Sequence, residues 1–262
     1  MPSPLSIAAL PGRDRVRIAT CIGLLTVLAW VYLLHLSRQM SMLHDKVMPE
    51  MGMTMDMPWT AADVFFTFGM WAVMMVGMMS VTAAPVLLLF AAVQAKHNRP
   101  GASLAVLLFG LGYLTVWIGF SAGATLAQWA LHQAAMLSPA MAASSPRLAG
   151  GVLIAAGAYQ LTPWKQACLT HCRSPLGFLM TNWRDGKLGA LHMGMNHGVY
   201  CLGCCWALMC VLFVVGVMNL VWVAALTGFV LIEKTGPAGA MVARVAGAAM
   251  VIAGIFSIVA IA

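Results

Sequence analysis

Charge is what this chain has least of. Its 262 residues include 7 acidic and 14 basic side chains, so charged residues make up 8% of the chain while hydrophobic residues make up 62%. A soluble domain carries roughly a quarter charged residues, and the scarcity therefore excludes an ordinary soluble protein and indicates an integral membrane one. Long polar stretches are missing too, which leaves no room for a sizeable soluble domain; residues 1–262 read as one membrane domain. A glycine-rich phosphate loop, a nucleophile elbow, a paired-carboxylate di-iron motif and HExxH are all absent, so nothing argues for an enzyme. The formal charge of +7 is spread over segments beside apolar runs, where it reads as a topology signal and not as a nucleic-acid-binding face. No cleavable signal peptide is expected, because the apolar run after Arg13, Arg15 and Arg17 is too long for a signal core and lacks a small-residue cleavage site.

The apolar runs predict an all-α polytopic transmembrane bundle, with spans near 18–36, 61–93, 102–131, 147–162, 194–216, 219–232 and 238–261. With seven spans the N-terminal segment 1–17 is cytoplasmic. Arg13, Arg15, Arg17, Lys96, Arg99, Lys165, Arg173, Arg184, Lys187 and Lys234 then lie inside, only Arg38, Lys46 and Arg147 lie outside, and Arg244 falls within the last span. Fusing 194–232 across Val217, Met218 and Asn219 gives six spans instead. The run 61–93 exceeds what a bilayer needs at about 1.5 Å per residue, so it tilts, kinks near Pro85, or projects. Trp59, Trp164 and Trp183 read as interfacial anchors; Asp63 and the Glu233–Lys234 step read as interfacial charges, with Glu233 pairing to Lys234 or to a loop base. Membrane lipid is the expected surrounding, and the bacterial inner membrane the expected location.

Soft donor atoms, by contrast, are plentiful: 7 cysteines, 7 histidines and 22 methionines. The stretch HGVYCLGCCWALMC at 197–210 places His197, Cys201 and Cys205 one helical turn apart. Cys204 sits three residues after Cys201, and Met193 extends the stripe backwards. Imidazole, thiolate and thioether select soft or borderline ions, Cu(I) first and Zn(II) as the alternative. Charge agrees, since Cu(I) on one thiolate with neutral partners, or Zn(II) on two thiolates, is neutral overall. The competing reading is that these cysteines are small packing residues, with Gly194, Gly198 and Gly203 marking a close helix contact. A second group, Cys168, His171 and Cys172, lies in the predicted cytoplasmic segment 163–191, where CxxxC puts both sulfurs on one side of a helix. A third comprises Met70, Met74 and Met78 at i, i+4, i+8 of the second span, with Met75 and Met79 on the adjoining face. The predicted external segment 37–60 adds Met51, Met53, Met55 and Met57 near His44. Thioethers suit Cu(I) in an oxidising compartment, where thiols would oxidise; packing is again the competing reading for the second-span stripe.

The elements PWKQACLTHCRSP, GVYCLGCCWALM and MWAVMMVGMMSVTAAPVLLLF together resemble a bacterial family of predicted metal-binding integral membrane proteins, a domain of unknown function. The likeness runs from about Ala62 to the C-terminus. Its lysine-x-x-Cys-Leu-x-x-Cys element falls on Lys165, Cys168, Leu169 and Cys172, its Cys-Leu-Gly-Cys-Cys-Trp element on Cys201 to Trp206, and its His-Gly step on His197 and Gly198. The resemblance implies a metal but not which one. The expected role is copper handling by uptake, delivery or resistance, with a membrane or periplasmic cuproprotein or a metallochaperone as partner. The alternatives are a membrane thiol-redox or assembly factor and a non-catalytic accessory subunit.

Overall fold

A computed structural model describes residues 11–51, 59–96, 102–134, 136–137 and 141–260, excluding the side chains of 41 and 43–51. The regular elements among the described residues are all helices, apart from an isolated bridge between Leu137 and Ala143. In chain order the helices are α1 (Gly12–Met51), α2 (Ala61–Lys96), α3 (Ala102–Gln133), α4 (Pro146–Leu161), α5 (Pro163–Arg173), α6 (Pro175–Asn182), α7 (Gly186–Cys210), α8 (Leu212–Val215), α9 (Leu220–Thr235) and α10 (Gly239–Val259).

Among the described residues five helical stretches are long and apolar enough to cross a membrane: Gly12–Met40, Ala61–Lys96, Ala102–Gln133, Gly186–Val215 and Gly239–Val259. The other two expected spans exist as α4 and α9, each 16 residues. At about 1.5 Å per residue these reach about 24 Å, short of a hydrocarbon core of about 30 Å. The break between 194–216 and 219–232 is real: Gly216 has φ 93°, a left-handed conformation suited to glycine, and Asn219 then caps α9 by accepting from the Trp222 amide. α1 runs on to Met51, so much of the segment expected as an external loop from residue 37 is helix. Met53, Met55 and Met57 lie outside the described residues, and Met51 contributes only its backbone, at the end of α1.

Serine or threonine followed by proline starts three helices. Pro146, Pro163 and Pro175 each open a helix just after Ser145, Thr162 and Ser174. Proline at the first turn loses no hydrogen bond, and the preceding hydroxyls of Ser145 and Thr162 accept from the amides of Arg147 and Lys165. These breaks turn the predicted polar segment 163–191 into the short helices α5 and α6, laid against α7 and α2. Asp63 belongs to a similar device at the start of α2: it accepts from the Thr60 amide at 2.8 Å while Thr60 Oγ1 accepts from the Asp63 amide.

The core is centred on α2, α3 and α7. Met70, Met74, Met75, Met78 and Met79 of α2 are all buried, as are Met193, His197, Cys201, Cys204 and Cys205 of α7. α7 fits against α3 because Gly194 has no side chain: a Cβ there would collide with the Phe109 carbonyl. Packing of this kind, in which small residues let two backbones meet, is common where no hydrophobic force between helices is available.

Candidate metal centre

The centre forms where α5, α7 and α9 meet the middle of α2 and α3. On α7 the Cys204 and Cys205 thiols both donate to the Cys201 carbonyl at 3.0 Å, which brings three sulfurs to one turn. α5 faces them. Lys165, Cys168, Leu169 and Cys172 are spaced i, i+3, i+4, i+7, a single stripe of a helix, and Lys165 and Leu169 are buried on it. The last member of the stripe, Cys172, lies with its Sγ 3.9 Å from that of Cys204. Cys168 rests on Gly203, where an added Cβ would stand 2.8 Å from its sulfur.

A spacing of 3.9 Å is too long for a disulfide and suits a shared ion. Two metal–sulfur bonds of about 2.3 Å span this gap at about 115°, the angle of an ion that has at least one further ligand. Hydrogen bonds with Cys201 and Cys204 hold the Cys172 thiol well above the ordinary cysteine value, and burial followed by the neighbouring Cys204 raises Cys168. Both are therefore thiols at neutral pH.

Cys201 is the most heavily contacted of the sulfurs. Lys234 Nζ donates to it at 2.8 Å and to Thr82 Oγ1 at 3.3 Å. The Tyr113 hydroxyl lies 3.1 Å from the same sulfur and donates to the Met79 carbonyl, tying the site to the methionine stripe of α2. Next along α9, Glu233 receives Lys165 Nζ at 2.7 Å and 2.9 Å and Gln160 Nε2 at 3.1 Å, and Lys165 also donates to Gln160 Oε1. Arg173, at the far end of α5, donates to the carbonyls of Glu233 and Gly236 at 2.8 Å. Both ends of α5 are thus fastened to the C-terminal end of α9.

The expected charges at the ends of apolar runs are enclosed by other helices: Lys165 and Lys234 are 0% and 7% exposed, and Glu233 is 1% exposed. Glu233 does pair with the base of the neighbouring segment, Lys165, as one of the expected alternatives had it.

His197 and His171 pack against aromatic rings. His197 lies among the rings of Phe109, Tyr113 and Phe178, with centroids 6.3, 5.8 and 5.0 Å away, and its Nδ1 is buried without a hydrogen-bond partner. His171 stacks on Tyr200 at 4.2 Å, its Nδ1 2.9 Å from the Ala167 carbonyl. Met193 accepts the Arg184 amide on its sulfur at 3.3 Å. Met70, Met74 and Met78 are built into the same apolar core as the cysteines. Among the described residues no group of three or more His, Cys, Asp or Glu converges as a closed metal cage.

Residues 68–257 match a family, PpoB2, described as a copper chaperone. The chain belongs to the PpoB2 family. The matched region begins inside α2 and takes in every cysteine of the centre, whereas α1 and the methionines of 51–57 precede it. That family description fits copper handling. Among curated proteins and among solved structures, nothing matches the chain.

Tyr113, Thr82 and Gln160 were not singled out in the sequence; Lys165 stood in a motif without a role, and Glu233 and Lys234 were read only as interfacial charges. One signal was present: Glu233 and Lys234 interrupt an otherwise apolar run, and an ionisable residue within such a run marks a site more often than a boundary.

Proposed function

We propose that this chain is a membrane-embedded copper(I) chaperone that holds its cargo between α5 and α7, on two thiolates drawn from Cys172, Cys201 and Cys204. The observation that carries the reading is the 3.9 Å gap between the Cys172 and Cys204 sulfurs, on two different helices, in a member of a copper-chaperone family. The donor set suits the ion, because thiolates and thioethers are the ligands that soft Cu(I) prefers over harder cations.

The copper enters from the outer methionines Met51, Met53, Met55 and Met57 and moves along the buried thioethers Met70, Met74 and Met78. Neutral thioethers bind weakly enough to release what they receive. The thiolates form the holding site, with Cys205 as a neighbouring donor and Met193 and His197 further along the same α7 stripe. Cys168 and His171, half-buried on α5, are the exit through which a cuproprotein or metallochaperone collects the ion. α1, α2, α3, α7 and α10 cross the inner membrane of a bacterium, and lipid covers their exposed apolar faces.

Metal analysis of the detergent-purified chain tests the reading. The wild type carries about one copper per chain, and the Cys172→Ala, Cys204→Ala double variant carries none. Equal copper in both would remove the site. The same sulfur pair supports a second reading, a thiol–disulfide exchanger, which needs the two sulfurs to close to about 2.05 Å. Thiol trapping separates the two: an exchanger changes its alkylation pattern with redox potential, whereas a copper holder is protected by Cu(I) at fixed potential.

A further inference from the structure

A groove runs along α2 between α1 and α3, and we propose that it is a binding site for one anionic phospholipid. The inference rests on these helices crossing a bilayer and is independent of the copper reading. α1 and α3 both pack on α2, and between them they leave a cavity of about 440 Å³, within the range of ligand sites. Its floor is Ser80, Ala83, Leu87, Ala91 and Ala95, one face of α2 at helical spacing on which all but Leu87 are small. Leu25 of α1 and Leu107 and Leu111 of α3 line the sides and are exposed. An unfilled groove forfeits dispersion contacts along its whole length, and in a bilayer a lipid chain is at hand to restore them.

Length and polarity specify the occupant. From Ala95 to Ser80 the groove measures about 22 Å at about 1.5 Å per residue. A leaflet with its headgroup region is half of about 40–45 Å, so the groove is one leaflet deep. Its charged side chains lie at one end only. Asp14 and Arg17, with Ser103, line the end where α1 and α3 begin and α2 stops. Arg13, Arg15 and Lys96 are exposed on the same face, so bases outnumber the one acid there. Arg17 touches Asp14 at 3.4 Å with 70% of its side chain exposed, a loose contact that leaves guanidinium donors for a phosphate. The opposite end offers no spare donor, because Ser80 Oγ donates to the Val76 carbonyl at 2.6 Å and the Tyr113 hydroxyl donates to the Met79 carbonyl. An anionic head followed by an apolar tail matches this order, and basic pockets between membrane helices are where such heads bind. The tail ends against Tyr113, which stands between the groove and Cys201, its hydroxyl 3.1 Å from that sulfur. The lipid thus forms the outer wall of the candidate metal centre on this side.

Native mass spectrometry of the full chain in detergent tests the site, with phosphatidylglycerol and phosphatidylcholine of identical acyl chains titrated in competition. The wild type holds one phosphatidylglycerol per chain, at least roughly fivefold tighter than phosphatidylcholine, the preference that one base near the headgroup confers. Arg17→Gln keeps a bound lipid but loses roughly fivefold of that preference. Gly110→Phe turns a side chain toward the floor, where a Cβ would already stand 4.0 Å from Leu87 Cδ2, and it loses the stoichiometric lipid of either headgroup. Both variants are first shown to elute as the wild type does on gel filtration. If Gly110→Phe does not fold, the wild type and Arg17→Gln decide, since the Arg17 side chain is exposed and its replacement leaves the packing intact. A wild type that carries no phospholipid, whether monomeric or paired through this face with a second copy, overturns the proposal. So does equal retention of the two lipids by the wild type, or undiminished lipid in a folded Gly110→Phe. The copper content of the wild type is a separate measurement, and either reading can fail without the other.

Discussion

Replacing Glu233 by glutamine will loosen α5 and with it one side of the metal centre. Lys165 Nζ reaches both carboxylate oxygens of Glu233, at 2.7 and 2.9 Å, with side chains 0% and 1% exposed. An exposed pair would contribute at most about 1 kcal/mol. Here the water is gone, and removing one partner strands the other charge, at a cost of about 3–5 kcal/mol. Glu233→Gln and Lys165→Met are each destabilised by that amount. The double variant loses much less than their sum, because neither charge remains to be stranded, and the coupling in the cycle is about 3 kcal/mol. Denaturant titration in detergent, followed by helical circular dichroism, measures the stability. Alkylation of Cys172 measures the local effect, since it rises in the single variants once α5 is held only through Arg173. Single variants within about 1 kcal/mol of wild type, with an additive double variant, would refute the reasoning.

Two further outcomes are expected. Gly194→Ala puts a Cβ into the Phe109 carbonyl and forces α3 and α7 apart, at about 1–3 kcal/mol, with lower expression and a lower midpoint in the same titration. Cys168, whose thiol burial and Cys204 hold above the ordinary value, alkylates slowly at neutral pH and faster as pH rises; a rate equal to that of a free thiol at neutral pH would contradict this.

Much of the architecture was legible because apolar runs and helix periodicity are local. The run 61–93 became α2, Ala61–Lys96, and 102–131 became α3, Ala102–Gln133. The stripe Met193, His197, Cys201, Cys205 holds on α7, and all four side chains are buried. What local pattern could not give is which helix faces which. Cys172 and Cys204 are 32 residues apart, and Lys234 and Cys201 are 33, so both contacts are products of tertiary packing. Hydropathy did not show that Lys165 and Lys234 are buried, because their partners, a carboxylate and a sulfur within 3 Å, are distant in sequence. The spacing Lys165, Cys168, Leu169, Cys172 did hold the answer for α5, since one helical stripe joins the buried ion pair at one end to the sulfur cluster at the other.

X-ray absorption spectroscopy of the Cu(I)-loaded chain tests the central claim most directly, because it counts the atoms bound to the ion. The account predicts an edge characteristic of Cu(I) and a first shell of sulfur atoms, lost when Cys172 and Cys204 are both alanine. A shell dominated by nitrogen, or an unchanged sulfur shell in that double variant, would contradict it.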